Sequence, residues 1–180
     1  MGLVTLGYAL NSGDSDRLFH YMDSFVQFCA CQFLSRSLMF NPSRDQVREF
    51  FVNTWRKNRA HELLTPLEAM ALDWIEQHPE YHEALESPDA MTQEFKVEDG
   101  RSNPFLHLSM HLAIAEQLSI DHPRGIKQAF ETMARSSSGH DAAHQIMECL
   151  GQVVWESQRL GTPLDSDTYI ELIRQRASRD

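Results

Sequence analysis

The chain has 180 residues and a formal net charge of −10, and 42% of its residues are hydrophobic. That length fits one domain with a core of its own. The acidic balance argues against nucleic-acid partners and against anionic membranes, because binding to either needs clustered Lys and Arg. No apolar run approaches the ~20 residues that span a bilayer, so we expect no membrane segment.

Residues 1–38 differ in composition from the rest of the chain. They contain no proline and carry three of the eight glycines. Met39 follows, and a clear helix start comes directly after it. We hypothesise that Met39 is the natural start and that residues 1–38 are an N-terminal extension, either disordered or not native. The alternative is a genuine N-terminal helix over residues 15–38. Residues 39–180 are then a single all-helical domain.

Helix signals follow one another through residues 39–180. Ser43-x-x-Gln46 and Thr65-x-x-Glu68 are capping boxes, and apolar residues recur behind both at helical spacing. Prolines near other predicted starts support the same interpretation. No alternation of apolar and polar residues demands a strand. The sequence therefore predicts an all-α fold, a single compact bundle of about five to six helices, with the later helices at about 103–119, 123–134, 139–160 and 166–176.

The cysteines predict a reducing environment. There are three of them, Cys29, Cys31 and Cys149, and an odd number without a secretory signal does not suit a disulfide framework. We therefore expect a cytoplasmic protein.

Four stretches carry a resemblance to a known family: FNPSRDQVREFFVNTWRK, LTPLEAMALDWIEQHPEYH, NPFLHLSMHLAIAEQLSID and AAHQIMECLGQVVWESQR. With them, residues 39–180 resemble the bacterial family catalogued as domain of unknown function 1841. The resemblance implies a small, soluble bacterial protein with no assigned activity. It transfers no catalytic residue, so a functional interpretation must come from the side chains.

Six of the nine histidines form three pairs spaced four apart, which are His78/His82, His107/His111 and His140/His144. Independent placement would give about half of one such pair. Residues four apart lie one above the other on a helix, so each pair can direct two imidazoles to one point. This pattern is typical of a metal site.

The predicted helix over 103–119 is apolar on almost every side, which predicts burial. His107 and His111 lie about 40° apart on it, on a stripe shared with apolar residues. Each buried imidazole left without a partner would cost ~1–3 kcal/mol. We therefore expect another side chain, water or a metal ion to satisfy them.

The predicted helix over 139–160 has a polar face that contains Asp141, His144 and Glu148. If this face docks against the helix of His107 and His111, then His107, His111, His144 and Glu148 form a set of three nitrogens and one oxygen. Such a set suits zinc, iron or manganese. Asp141 would orient an imidazole, and His140 is a candidate extra ligand.

The pair His78/His82 is interrupted by Pro79, which ends a helix. We therefore place His78 next to a helix start and His82 at the surface or at the edge of the site. Both stay in the candidate set as additional ligands.

The sequence is compatible with two functions. One is a metal-binding helical protein, such as an oxidoreductase or hydrolase with one open coordination position. The other is a metal-free interaction module, in which the histidines form a buried polar network. It would present an acidic surface, or the helix at 169–176, to a protein partner. The sequence names no substrate and no reaction.

Overall fold

The computed structural model describes residues 43–95 and 103–179, and all regular secondary structure in these ranges is helical. This confirms the all-α prediction. The predicted extension, residues 1–38, lies outside the described residues. The α-helices are α1 (Arg44–Arg59), α2 (Pro66–Glu76), α3 (His82–Glu86), α4 (Pro104–Ile120), α5 (Ile126–Ser136), α6 (Gly139–Leu160) and α7 (Ser166–Ala177), with a 3-10 helix over Pro79–Tyr81.

The helix starts at α1 and α2 follow the two predicted capping boxes. Ser43 Oγ accepts a hydrogen bond from the Gln46 backbone N–H, and the Ser43 N–H donates to Gln46 Oε1. Thr65 and Glu68 repeat this arrangement at α2. Each box satisfies backbone N–H groups that the first turn of a helix leaves without an intrahelical acceptor.

Helix α2 ends at Glu76, two residues before His78. Pro79 then begins the 3-10 helix, and the short helix α3 restarts the chain at His82. A proline lacks the N–H that would continue α2 but fits the first turn of a new helix. This extra short helix brings the number of described α-helices to seven, above the predicted five to six.

Compact packing divides the chain into two units, and the division falls inside α4, between Ser109 and Met110. The prediction of a single domain over 39–180 is not tested by this division and stays a prediction. In the first unit, α1 packs against α2 and α3. The apolar side chains buried there include Phe51, Trp55, Ala71, Ile75 and Leu85.

The first unit also buries an arginine. Arg48 is 1% exposed, its guanidinium lies 5.1 Å from the centre of the Phe105 ring, and its Nη1 donates to the Ala90 carbonyl at 3.2 Å. Burial lowers the pKa of Arg48 from its usual value. A planar guanidinium stacks on an aromatic face better than a lysine ammonium does, so this position favours arginine.

In the second unit, α5, α6 and α7 pack against one another. Their buried side chains include Ile126, Met133, Ile146, Leu150 and Ile173. These contacts hold in place the long helix α6, which carries His140 and His144.

Helix α5 starts at Ile126 and not at the predicted Pro123. Gly125 adopts φ 96°, a left-handed conformation that glycine adopts without steric cost. Asp121 Oδ1 accepts from the N–H groups of Gly125 and Lys127. The carboxylate thus holds the turn before α5 and delays the helix by about one turn.

No helix in the described ranges has both the length and the apolar composition that crossing a bilayer requires.

Candidate metal centre

His78 and His107 bring two imidazoles together in the first unit. His78 follows the end of α2, and His107 lies in the first turn of α4, which Asn103 caps through its side-chain oxygen. Their Nε2 atoms are 3.0 Å apart. His78 is 1% exposed and His107 is half-buried, so the meeting point of the two rings is largely screened from solvent.

The orientation of His78 is fixed from its other side. Its Nδ1 lies 2.8 Å from the Trp74 carbonyl oxygen. Because a carbonyl can only accept, Nδ1 carries the proton, and in the neutral ring Nε2 then presents its lone pair. Tyr81 packs parallel to the His78 ring, with centroids 5.4 Å apart. His78 therefore directs an electron pair towards His107.

His111 and His144 form a second pair, in the second unit. Their Nε2 atoms are 3.1 Å apart, and their ring centroids are 4.8 Å apart. His111 is completely buried in α4, whereas His144 is half-buried in the second turn of α6. His107 and His111 stand one turn apart on α4, as predicted from their spacing.

The four imidazoles form one group of candidate ligands. One ring nitrogen from each of His78, His107, His111 and His144 lies within 4.8 Å of the others. Zn–N bonds of 2.0–2.1 Å imply nitrogens about 3.3 Å apart in a regular tetrahedron. The distances of 3.0 and 3.1 Å within the two pairs are a few tenths of an ångström below this value. Each pair can therefore offer two nitrogens to one ion with small movements of its own rings.

Glu148, a predicted ligand, is not a member of this group. Its Oε2 accepts from Arg176 Nη1 in an ion pair, with both side chains more than one-third exposed. The ligand role predicted for Glu148 is untested and stays a prediction.

Asp141 lies at the start of α6, where it is exposed. Its Oδ2 accepts from Ser138 Oγ at 2.8 Å, and its N–H donates to Ser138 Oγ at 3.0 Å. The hydrogen bonds from Ser138 lower the pKa of Asp141, and the nearby His140 and His144 lower it further. The carboxylate is therefore ionised near neutral pH, close to two imidazoles.

The two remaining candidates, His140 and His82, have different surroundings. The His140 ring lies 4.3 Å from that of His144 and 5.8 Å from that of His111, centroid to centroid. His82 stacks on Trp55 at 4.2 Å, and its Nε2 lies 2.9 Å from the Ile75 carbonyl oxygen. His140 thus borders the group of four, whereas His82 is held by α1 and α2.

Sequence reasoning gave His78 too little weight, because it treated the break at Pro79 only as the loss of four-residue spacing. A second signal was available at the same place. A histidine just beyond a helix end can donate to one of the last carbonyls of the helix, because side chains often hydrogen-bond to these groups. His78 does this with Trp74, and the bond turns its other nitrogen towards His107.

The fold and the site together define an all-helical protein with a cluster of four partly buried imidazoles. The sequence profile of the family described as domain of unknown function (DUF1841) matches residues 43–175, and the chain belongs to that family. No curated protein and no solved structure matches the chain.

Proposed function

We propose that the protein binds a divalent transition-metal ion through His78, His107, His111 and His144. The observation that carries the proposal is the position of one ring nitrogen of each within 4.8 Å of the others. Neutral imidazole is a common ligand for such ions, and four donors satisfy a tetrahedral ion. This set replaces the predicted Glu148 with a fourth imidazole.

The hydrogen bond of His78 supports this proposal. Metal-bound histidines usually donate their other N–H to a carbonyl or carboxylate, which fixes the tautomer and the ring orientation. His78 Nδ1 makes such a contact with the Trp74 carbonyl oxygen at 2.8 Å. The Nε2 atom of His78 therefore has a lone pair available for a metal ion, and the ring is already oriented in the metal-free protein.

The proposed ligands are all imidazoles, and this narrows the choice of metal. Imidazole ligands suit zinc, iron, copper and nickel, whereas manganese prefers sets with carboxylate oxygens. Of the metals expected from the sequence, zinc and iron therefore fit the four-imidazole set better than manganese.

The metal-free alternative uses the same distances. Separations of 3.0 and 3.1 Å also suit one N–H donating to the lone pair of the other ring. The four histidines would then form a polar network inside a module that binds a protein partner. The two proposals differ in what the purified protein contains and in how it responds to a metal.

Elemental analysis of protein purified without added metal, followed by Co²⁺ titration of the chelator-treated protein, tests the proposal. We expect stoichiometric metal in the first measurement and the absorption bands of tetrahedral cobalt in the second. Replacing His78 by Gln should weaken Co²⁺ binding by at least about tenfold, since it removes one ligand.

His82→Gln is the matched control, because His82 is also a half-buried histidine but contacts Trp55 and Ile75 instead of the cluster. It should bind Co²⁺ as the unmodified protein does. Metal below about a tenth of an equivalent, together with no response to cobalt, zinc or iron, would overturn the proposal and favour the network.

A further inference from the structure

His144 contacts two other imidazoles. Its Nε2 lies 3.1 Å from His111 Nε2. Its ring meets that of His140 nearly edge-on, with centroids 4.3 Å apart and an interplanar angle of 74°. His140 is not among the four residues whose nitrogens converge. The contact between His140 and His144 therefore has no role in the proposed ligand set.

The imidazoles of His111, His140 and His144 differ in their exposure to solvent. His111 is fully buried, whereas His140 and His144 are half-buried. His140 also precedes His144 by one turn of α6, the spacing at which two histidines can chelate one ion from a single helix face. A solvent-borne ion can thus reach a two-imidazole chelate without entering the core.

The charge next to this pair favours a cation. The exposed carboxylate of Asp141 is the neighbour of His140 in the sequence, in the first turn of α6. The start of a helix otherwise carries partial positive charge, which repels cations. Asp141 opposes that field, and Ser138 holds its carboxylate in place.

We propose that His140 and His144 form an outer entry site that captures a divalent transition-metal ion and passes it to the inner set. The transfer is a ligand exchange at a metal of constant oxidation state. The ion keeps its bond to His144, the bond to His140 breaks, and a bond to His111 forms. This inference rests on the proposed metal-binding function.

The test measures the kinetics of Co²⁺ binding to the full chain. His140→Gln removes the outer chelate but leaves the four inner imidazoles. An entry site lies on the path for binding and for release, so both rates should fall by at least about tenfold while Kd changes by less than about threefold. The Asp141→Asn variant should also bind Co²⁺ more slowly, and its binding rate should depend less on salt concentration.

The helix content of both variants, measured by circular dichroism, should match that of the unmodified protein.

His61→Asn is the control. His61 is an exposed histidine with φ 55°, a conformation that asparagine tolerates well. It should leave both rates unchanged.

The possible outcomes are distinct. Unchanged rates in His140→Gln would overturn the entry site while metal binding stands. A loss of affinity of tenfold or more in that variant would make His140 a permanent ligand and also overturn the entry role. An unmodified protein that binds no Co²⁺ would overturn both the proposed function and this inference.

Discussion

The Nε2 atoms of His78 and His107 lie 3.0 Å apart, although one residue follows the end of α2 and the other belongs to the first turn of α4. Their rings meet edge-on, with an interplanar angle of 68°. Two nitrogens at this distance either share a proton or face a common cation. The two states differ in whether the folded chain gains stability when a metal ion is added.

Metal should stabilise the folded chain. An ion that binds only the folded state adds about 2.7 kcal/mol to the free energy of unfolding when its concentration is a hundred times Kd. That corresponds to a rise in Tm of roughly 5–10 °C for a chain of this size. The double variant His107→Gln/His111→Gln should show no rise with Zn²⁺, measured by differential scanning calorimetry. An equal rise in that variant would place the ion elsewhere.

Replacing Glu148 by Gln should leave the metal content unchanged. In the structure this carboxylate pairs with Arg176. Both side chains are partly exposed, so loss of the ion pair should cost at most about 1 kcal/mol of stability. Elemental analysis of the variant checks the first expectation, and urea unfolding checks the second. Loss of metal from the Glu148→Gln variant would instead support the sequence-based prediction that Glu148 is a ligand.

The free energy of unfolding should fall at acid pH, because the Glu68 carboxylate becomes protonated. Its carboxylate accepts from Lys57 Nζ at 2.6 Å and from the Thr65 N–H at 2.8 Å. These bonds, the one from Lys57 first, lower the pKa of Glu68 from 4.5 to about 2. A lowered pKa means that the stabilisation is complete above the unfolded-state pKa and is lost as pH falls through the folded-state pKa.

The Glu68→Gln variant isolates this effect. It should be less stable than the unmodified protein by about 2 kcal/mol at pH 7, and the difference should shrink as pH falls from about 4.5 towards 2. Urea unfolding at a series of pH values measures it. Glu49→Gln, at an exposed position of α1, is the control. A difference that stays constant with pH would show that the ion pair is not responsible.

Substitutions of the two partners of a buried hydrogen bond in the second unit should have strongly coupled effects on stability. Tyr169 Oη donates to Gln117 Oε1 at 2.8 Å. Tyr169→Phe alone leaves a buried acceptor without this donor and should cost about 1–3 kcal/mol. The double variant Tyr169→Phe/Gln117→Leu should cost less than the sum of the single changes, because both polar partners are gone. Strict additivity in urea unfolding would contradict the coupling.

Local sequence signals predicted the helices well. Ser43 and Thr65 mark helix starts because a capping box acts within one turn of the chain. The burial of Arg48 could not be predicted in this way, since it depends on Phe105 and on the Ala90 carbonyl, both distant in sequence. Its position in α1 carries no local sign of either contact.

The sequence predicted only part of the candidate site, because the rest also depends on residues that are distant in the sequence. A helical wheel gives the direction of His107, His111 and His144, but it does not say which side chain from another element faces them. For Glu148 the neighbour is Arg176 of α7. For His107 it is His78, which its hydrogen bond to Trp74 orients from beyond the end of α2.

The one-turn separation of His107 and His111 on α4 also limits how the gene can change in length. Each helical residue adds about 100° of rotation and 1.5 Å of rise. A single codon gained or lost between the two positions would rotate one imidazole by that angle relative to the other. Small insertions and deletions are therefore incompatible with the interval from 107 to 111.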